Sequence, residues 1–129
     1  MAIQKGTYDI EIYRGDSRVF EFSFVNIDNQ TGIESVADLS TVNVKAQVRY
    51  SEDSPDIWMD LEPEIVNAAT GLIRITINAS KSAGAVLPSS SGAPSAGVWD
   101  MQFTDKTNPE IVDTVLVGKF IVRKDITRP

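Results

Sequence analysis

The chain has 129 residues, 42% of them hydrophobic and 23% charged, which fits one globular domain that buries a core without metal or disulfide support. It contains no cysteine and no histidine, so disulfides, thiolate or imidazole metal sites and histidine-based catalytic triads are excluded. Its formal net charge of -6 argues against nucleic acid or an anionic membrane as a partner, because such surfaces need clustered lysine and arginine.

Residues 1–6 precede the first alternating segment and include the apolar Ile3. Two interpretations are open: a frayed terminus, which is the more frequent outcome, or an extended N-terminal arm, which can add a strand to the sheet edge of a neighbouring molecule. This terminus lacks the apolar core and cleavage site of a secretory signal, and no apolar run approaches the ~20 residues of a membrane span. The protein is therefore expected to be made in the cytoplasm.

Residues 8–24 hold two segments in which apolar and polar side chains alternate, separated by Arg14-Gly15-Asp16. Alternation places side chains on opposite faces of a strand, so both segments are predicted as strands with one dry face. The tripeptide matches an integrin-binding motif, but glycine supplies a positive φ and the aspartate can bond nearby backbone. We interpret Arg14, Gly15 and Asp16 as a structural hairpin turn.

Five further segments alternate in the same way, and turn sequences separate them at intervals typical of sandwiches. They cover residues 42–50, 57–61, 73–77, 99–103 and 114–122, the last with Thr114, Leu116, Gly118, Phe120 and Val122 in one phase. The pattern predicts one all-β domain over residues 1–129. It is an antiparallel two-sheet, Ig-like β-sandwich of seven to eight strands, with at most one short helical turn.

Two connections are longer than a tight turn. Residues 26–41 are predicted to cross between the sheets. Residues 79–97 begin with a stretch, 80–87, that favours one helical turn. They continue through the Pro-, Ser- and Gly-rich residues 88–97, which are predicted to be a flexible loop.

Trp58 is out of phase with its apolar neighbours, which favours exposure. An exposed tryptophan serves as a contact hot spot or as a stacking platform for sugar; the alternative is a partly covered rim residue.

The carboxylates around Trp58 match neither a glycosidase pair nor a calcium loop, and Asp28–Gly32 lacks the closing acidic ligand of such a loop. We interpret these carboxylates as charges that face solvent: Glu52, Asp53, Asp56, Asp60, Glu62 and Glu64.

The C-terminal run carries Arg123, Lys124 and Arg128, where charge patterning favours a solvated strand end. If the protein acts by contact with other proteins, these residues, together with Ile3 and Trp58, are the ones we expect at the interface. No catalytic, cofactor-binding or metal-binding residue is predicted.

Five short motifs follow one another in the order "IYRGDSRVFEFSF", "ADLST" leading into "VKAQVRYS", "GLIRITINAS", "GVWDMQFTD" and "VGKFIVRKDITRP". In this order they resemble the small β-sandwich domain of tailed-phage virion proteins, similar to the N-terminal domain of the phage baseplate upper protein. The resemblance covers nearly the whole chain. It implies that the Arg-Gly-Asp is a turn of the fold, and that Asp125-Ile126-Thr127-Arg128 is the closing motif.

The resemblance implies a non-enzymatic structural protein of the virion, whose partners are other virion proteins and copies of itself in a homo-oligomer. Members of the family often continue into a receptor-binding or fibre module, whereas this sequence stops at Pro129, so a building block is expected, in the tail or baseplate or as a head component. The alternatives are a decoration (cement) protein of the phage head and, more distantly, a carbohydrate-binding module that uses Trp58. An enzyme acting through Asp56 and Asp60 ranks third.

Overall fold

The computed structural model describes residues 2–84 and 95–127. Within them, regular structure consists of β-strands, one short α-helix and a 3-10 turn at Ala68–Thr70. In chain order the elements are β1 (Ala2–Ile3), β2 (Gly6–Thr7), β3 (Ile10–Tyr13), β4 (Arg18–Ser23), β5 (Val25–Ile27), β6 (Glu34–Val36), β7 (Val42–Arg49), β8 (Met59–Asp60), β9 (Glu64–Asn67), β10 (Leu72–Ile77), α1 (Ala79–Ala83), β11 (Ser95–Asp105) and β12 (Val112–Arg123). The all-β sandwich is confirmed, with shorter and more numerous strands than the seven or eight expected.

The large sheet has the strand order β2-β12-β11-β7-β8, with β3 also paired to β12. Its centre is the long antiparallel hairpin of β11 and β12, and β7 lies antiparallel on the other side of β11. The first strands depart from the antiparallel expectation, since β2 and β3 both run parallel to β12. The beginning and the end of the described chain are therefore joined in one sheet.

The second sheet, in the order β4-β10-β9, packs against the large sheet to form the core. Alternate residues of β10 are fully buried, as the period-2 pattern predicts. Aromatic contacts join the layers: Phe24 meets Phe103 edge-on at 5.1 Å between ring centroids, and Phe22 lies 6.1 Å from Trp99. Two stacked sheets with interdigitating inner faces are the arrangement that defines a sandwich.

A third, small sheet in the order β1-β5-β6 lies where a bare crossing connection was expected. Within residues 26–41, the chain forms most of a β5–β6 hairpin before it reaches β7. The N-terminal arm pairs with this hairpin in the same molecule, through Ala2 opposite Ile27 and Ile3 opposite Asn26. In the single chain, the arm therefore pairs with its own β5 and not with the sheet of a neighbouring molecule.

A register shift in β12 breaks the single phase predicted for residues 114–122. The bulge lies opposite Met101 and Gln102, and it inserts Val115, which is 1% exposed, into the core beside Leu116. Thr114 consequently points to the outer side, where it accepts a hydrogen bond from Gln102. An extra residue in one strand of a pair reverses the parity of everything before it, which alternation alone does not reveal.

The predicted strand over 57–61 is reduced to Met59–Asp60, and Ile57 is 45% exposed instead of buried. The predicted helical turn is α1, which begins after Asn78, whose side-chain oxygen accepts from Lys81 N at 2.8 Å. The flexible loop predicted over 88–97 lies partly outside the described residues. Its last three positions belong to β11, which corrects that boundary.

Candidate functional site

The Arg-Gly-Asp sequence forms a tight turn between β3 and β4. Asp16 N donates to Tyr13 O at 3.0 Å, and Gly15 has φ 85°, the positive value that a type II turn requires at its third residue. The two strands belong to different sheets, since β3 pairs with β12 and β4 with β10. The hairpin interpretation is therefore wrong: the turn carries the chain from one layer of the sandwich to the other.

Three distant segments meet at this turn, and we call the set Arg14, Gly15, Asp16, Ser82 and Asp125 the clasp. Ser82 is fully buried; its hydroxyl accepts from Gly15 N at 3.0 Å and donates to Asp16 O at 2.7 Å. Arg14 Nε lies 2.6 Å from Asp125 Oδ1, with both side chains mostly covered. Arg14 and Asp16 therefore take part in internal contacts, and the closing motif is fixed to the turn.

Trp58 is half-buried, which corrects the exposure that its phase favoured. Its indole stacks on Tyr50 with centroids 4.7 Å apart and meets Phe120 edge-on at 5.5 Å. It also packs over Gly97, where an added Cβ would come within 3.0 Å of the indole ring. Since Tyr50 covers one face of the indole and Gly97 lies against the ring as well, Trp58 is poorly placed to stack on a sugar.

The basic C-terminal group is only partly described. Arg123 forms a charge-assisted hydrogen bond with Glu11 across the parallel β3–β12 pair, and this raises the pKa of the arginine above its ordinary value. Lys124 is half-buried, and Arg128 lies outside the described residues.

The structure does not gather the predicted interface residues into one patch. Gly6, the last residue of the arm, pairs with Leu116, whereas Arg123 is seven residues further along β12. At ~3.3 Å per residue, Leu116 and Arg123 are about 23 Å apart along β12. Ile3 and Arg123 therefore mark different regions of the surface.

The acidic residues do not assemble into a metal site: within residues 2–84 and 95–127, no group of three or more acidic side chains is arranged to hold an ion. Asp28 instead organises the β5–β6 loop. Its carboxylate accepts from the backbone of Gln30 and Thr31, and these hydrogen bonds lower the pKa of Asp28. The Asp28–Gly32 stretch is thus a hydrogen-bonded loop.

A shallow open groove of about 910 Å³ lies on the side of the large sheet that faces away from the core. We call it the outer groove. Its lining includes polar side chains that alternate with the buried residues of β7, β11 and β12: Lys45, Gln47, Arg49, Asp100, Gln102 and Lys119. Sequence analysis assigned the β7 and β11 members to the wet faces of their strands but did not recognise that three neighbouring strands combine them.

Arg49 is held in place at one end of the outer groove. Its guanidinium donates to the carbonyl oxygens of Ser54 and Pro55, both at 2.9 Å, and to Gln47 Oε1 at 3.2 Å. Partial burial raises the pKa of Asp100, while the charge of Arg49 opposes that shift. A surface with fixed donors, acceptors and both signs of charge suits recognition of another polar surface.

Exposed aliphatic side chains cluster by element along the margins of the sheets. On β6 and the residue before it, Val36 is 61% and Ile33 66% exposed, and on the edge strand β4 Val19 is 57% exposed. A further pair, Ile111 and Val112, lies where β12 begins. Edge strands of this kind offer both backbone groups and apolar side chains to a partner.

The sequence matches no protein-family profile and no curated protein. Across the described ranges, no helix has the length and apolar character to cross a membrane.

Proposed function

We propose that this chain is a structural protein of a tailed-phage virion, which works by protein-protein assembly in the tail or baseplate and catalyses no reaction. The observation that carries the proposal is the clasp. Arg14 of the first motif and Asp125 of the last, 111 residues apart, meet at 2.6 Å. The first and last of the five motifs, which together carry the resemblance to a virion domain, are therefore in contact in the folded chain.

The other motifs also occupy joints of the fold. Leu39 of the Asp-Leu-Ser motif is fully buried, and its amide donates to Ala68 O at 2.8 Å. Trp99 of the Trp-Asp motif donates from Nε1 to Tyr8 O, also at 2.8 Å. Motif residues that hold distant segments together are what the resemblance to a phage domain leads us to expect.

The surface supports assembly as the mode of action. The exposed aliphatic residues on β4 and β6 lie beside strand edges, where contacts combine backbone hydrogen bonds with apolar burial. A small contact of this type is weak alone, but repetition around a particle adds avidity. The alternative placement, as a decoration protein on the phage head, uses the same surfaces.

The test is mass spectrometry of purified, intact phage particles from the strain that encodes this chain. We expect the chain in the particle, in multiples of three or six copies for a tail or baseplate subunit and in hundreds for a head protein. Its absence from intact particles, when the protein is abundant in the infected cell, would refute the proposal.

A matched control separates the sugar-binding alternative. We expect the parent protein, Trp58→Phe and Trp58→Ala all to bind no sugar, because Tyr50 already covers one face of the indole. Specific binding on a glycan array that is lost in the alanine variant would favour a carbohydrate-binding module instead.

A further inference from the structure

The N-terminal arm bridges two sheets of the same molecule. Ile3 pairs with Asn26 of β5, and Gln4 N donates to Val25 O at 2.9 Å, which fixes the arm on the small sheet. Gly6, three residues beyond Ile3, pairs with Leu116 in the large sheet. The change of sheet is thus made within a connection that spans roughly 10 Å at full extension.

The arm makes few contacts beyond its strand pairing. Ile3 is half-buried against the core, and an open surface pocket of about 380 Å³ is lined by Gln4–Gly6 together with Phe22 and Phe24. The ion pair of Lys5 with Asp113, at 2.8 Å, joins two exposed side chains. Exposed pairs add little stability, so few contacts must break for the arm to leave its site.

We propose that β1 exchanges between copies of this chain, so that residues 2–4 of one molecule pair with β5 of a second. The occupant of the site is defined by the structure itself, because the β5 edge already binds this segment with a fixed register. An identical segment from another copy makes the same contacts, so exchange costs little beyond association itself.

Charge also favours this edge as the contact between copies. Two copies of a chain with formal net charge -6 repel each other, which opposes contacts that bring acidic groups together. The paired strands β1 and β5 contain no charged residue. By contrast, Glu34 lies on β6 and Glu21 on β4. The β1–β5 junction lets copies associate through backbone hydrogen bonds and the apolar Ile3.

The chain contains no cysteine, so exchange can be tested with two single-cysteine variants. Ile3 and Asn26 are directly opposite in an antiparallel pair, where the ~4.5–5.5 Å Cα separation suits a disulfide. Purified I3C, labelled with ¹⁵N, and unlabelled N26C are unfolded in urea, mixed and refolded together. They are then oxidised and analysed by mass spectrometry under non-reducing conditions.

The matched control is I3C mixed with E34C, because Glu34 pairs with β5 from the side opposite β1. We expect the I3C–N26C mixed dimer to exceed the control dimer at least about tenfold, since exchange holds the two thiols side by side. Equal yields in the two mixtures would overturn the proposal. So would failure of the I3C/N26C double variant to form a disulfide within or between chains, because the β1–β5 pairing would then be absent.

The inference does not rest on the virion proposal. The test uses only purified protein, so its failure leaves assembly into particles open, and absence of the chain from particles leaves exchange open.

Discussion

The clasp predicts a measurable coupling between Arg14 and Asp125. The pair is closer and less exposed than most surface ion pairs, with side-chain exposures of 26% and 19% and a 2.6 Å contact. Exposed pairs contribute about 0.2–1 kcal/mol, and hydrogen bonds to charged groups about 1.5–3 kcal/mol. We expect R14A and D125A each to lower the free energy of unfolding by about 2 kcal/mol, with a coupling of about 1.5 kcal/mol.

Urea unfolding followed by tryptophan fluorescence measures all four proteins of this double-mutant cycle, because Trp99 is buried in the core. At about 4 °C per kcal/mol for a domain of this size, each single variant should also melt roughly 8 °C lower. The double variant should be only slightly less stable than either single variant. This follows because removal of the second partner costs little once the first is gone.

The control cycle uses Arg74 and Glu21, the same chemistry at 3.2 Å with side chains 40% and 47% exposed. Its coupling should be about 0.3 kcal/mol and should disappear at high salt, whereas the clasp should retain most of its coupling. If the two cycles give the same coupling within about 0.5 kcal/mol, the clasp is no stronger than an ordinary surface pair. The argument that the two motifs form a structural joint would then fail.

Three further variants test the joints and the titrating groups. Gly118→Ala should destabilise the fold by about 3 kcal/mol, because its Cβ would overlap the carbonyl oxygen of Tyr8. Gly84 has a negative φ and an added Cβ there would make only ordinary contacts, so Gly84→Ala should change stability by under about 0.5 kcal/mol in the same thermal melts. Hydrogen bonds lower the pKa of Asp105 in the folded state. The stability that ionised Asp105 contributes is therefore present above its unfolded-state pKa of about 3.9 and is lost as pH falls through its folded-state pKa. Below about pH 4, D105N should therefore lose less stability than the parent protein in acid unfolding, and parallel curves would contradict this. Burial raises the pKa of Asp100, so its ionised form disfavours folding at neutral pH, and D100N should melt higher at pH 7 but not at pH 3.

Alternation predicted the core well because a strand that is buried on one face must place every second side chain in it. Ile73, Ile75 and Ile77 on β10 and Trp99 and Met101 on β11 are buried as their parity requires. The same logic assigned the β7 and β11 side chains of the outer groove to the wet side. That these side chains adjoin depends on which strands are neighbours, and parity carries no information about strand order.

The errors arise where pairing between distant segments decides the local structure. The sequence at Arg14–Asp16 has the composition of a hairpin turn, but β3 pairs with β12 and β4 with β10, so the same turn becomes a crossing. The three-residue strands β5 and β6 are too short to show a period, and they exist because the hairpin and the arm pair with each other. Trp58 is covered because Tyr50, just after β7, and Phe120 of β12 both contact it.

The motifs that carry the resemblance contain joints, that is, residues that connect distant segments of the fold. This affects what a match to these motifs can show. An apolar core tolerates exchange of one hydrophobic residue for another of similar size, whereas a joint such as Ser82 between Gly15 and Asp16 needs particular donors and acceptors at fixed positions. A sequence pattern made of such residues therefore indicates the fold, and the Arg-Gly-Asp indicates a turn that crosses from one sheet to the other. Under the proposed assembly role, we expect the residues that select a partner on surfaces outside these joints: the outer groove, the β4 and β6 edges and the arm. Under the proposed role, substitution of exposed side chains at the β4 and β6 edges, such as Val19 and Val36, should change assembly with little change in the melting temperature, and substitutions in the clasp should do the reverse.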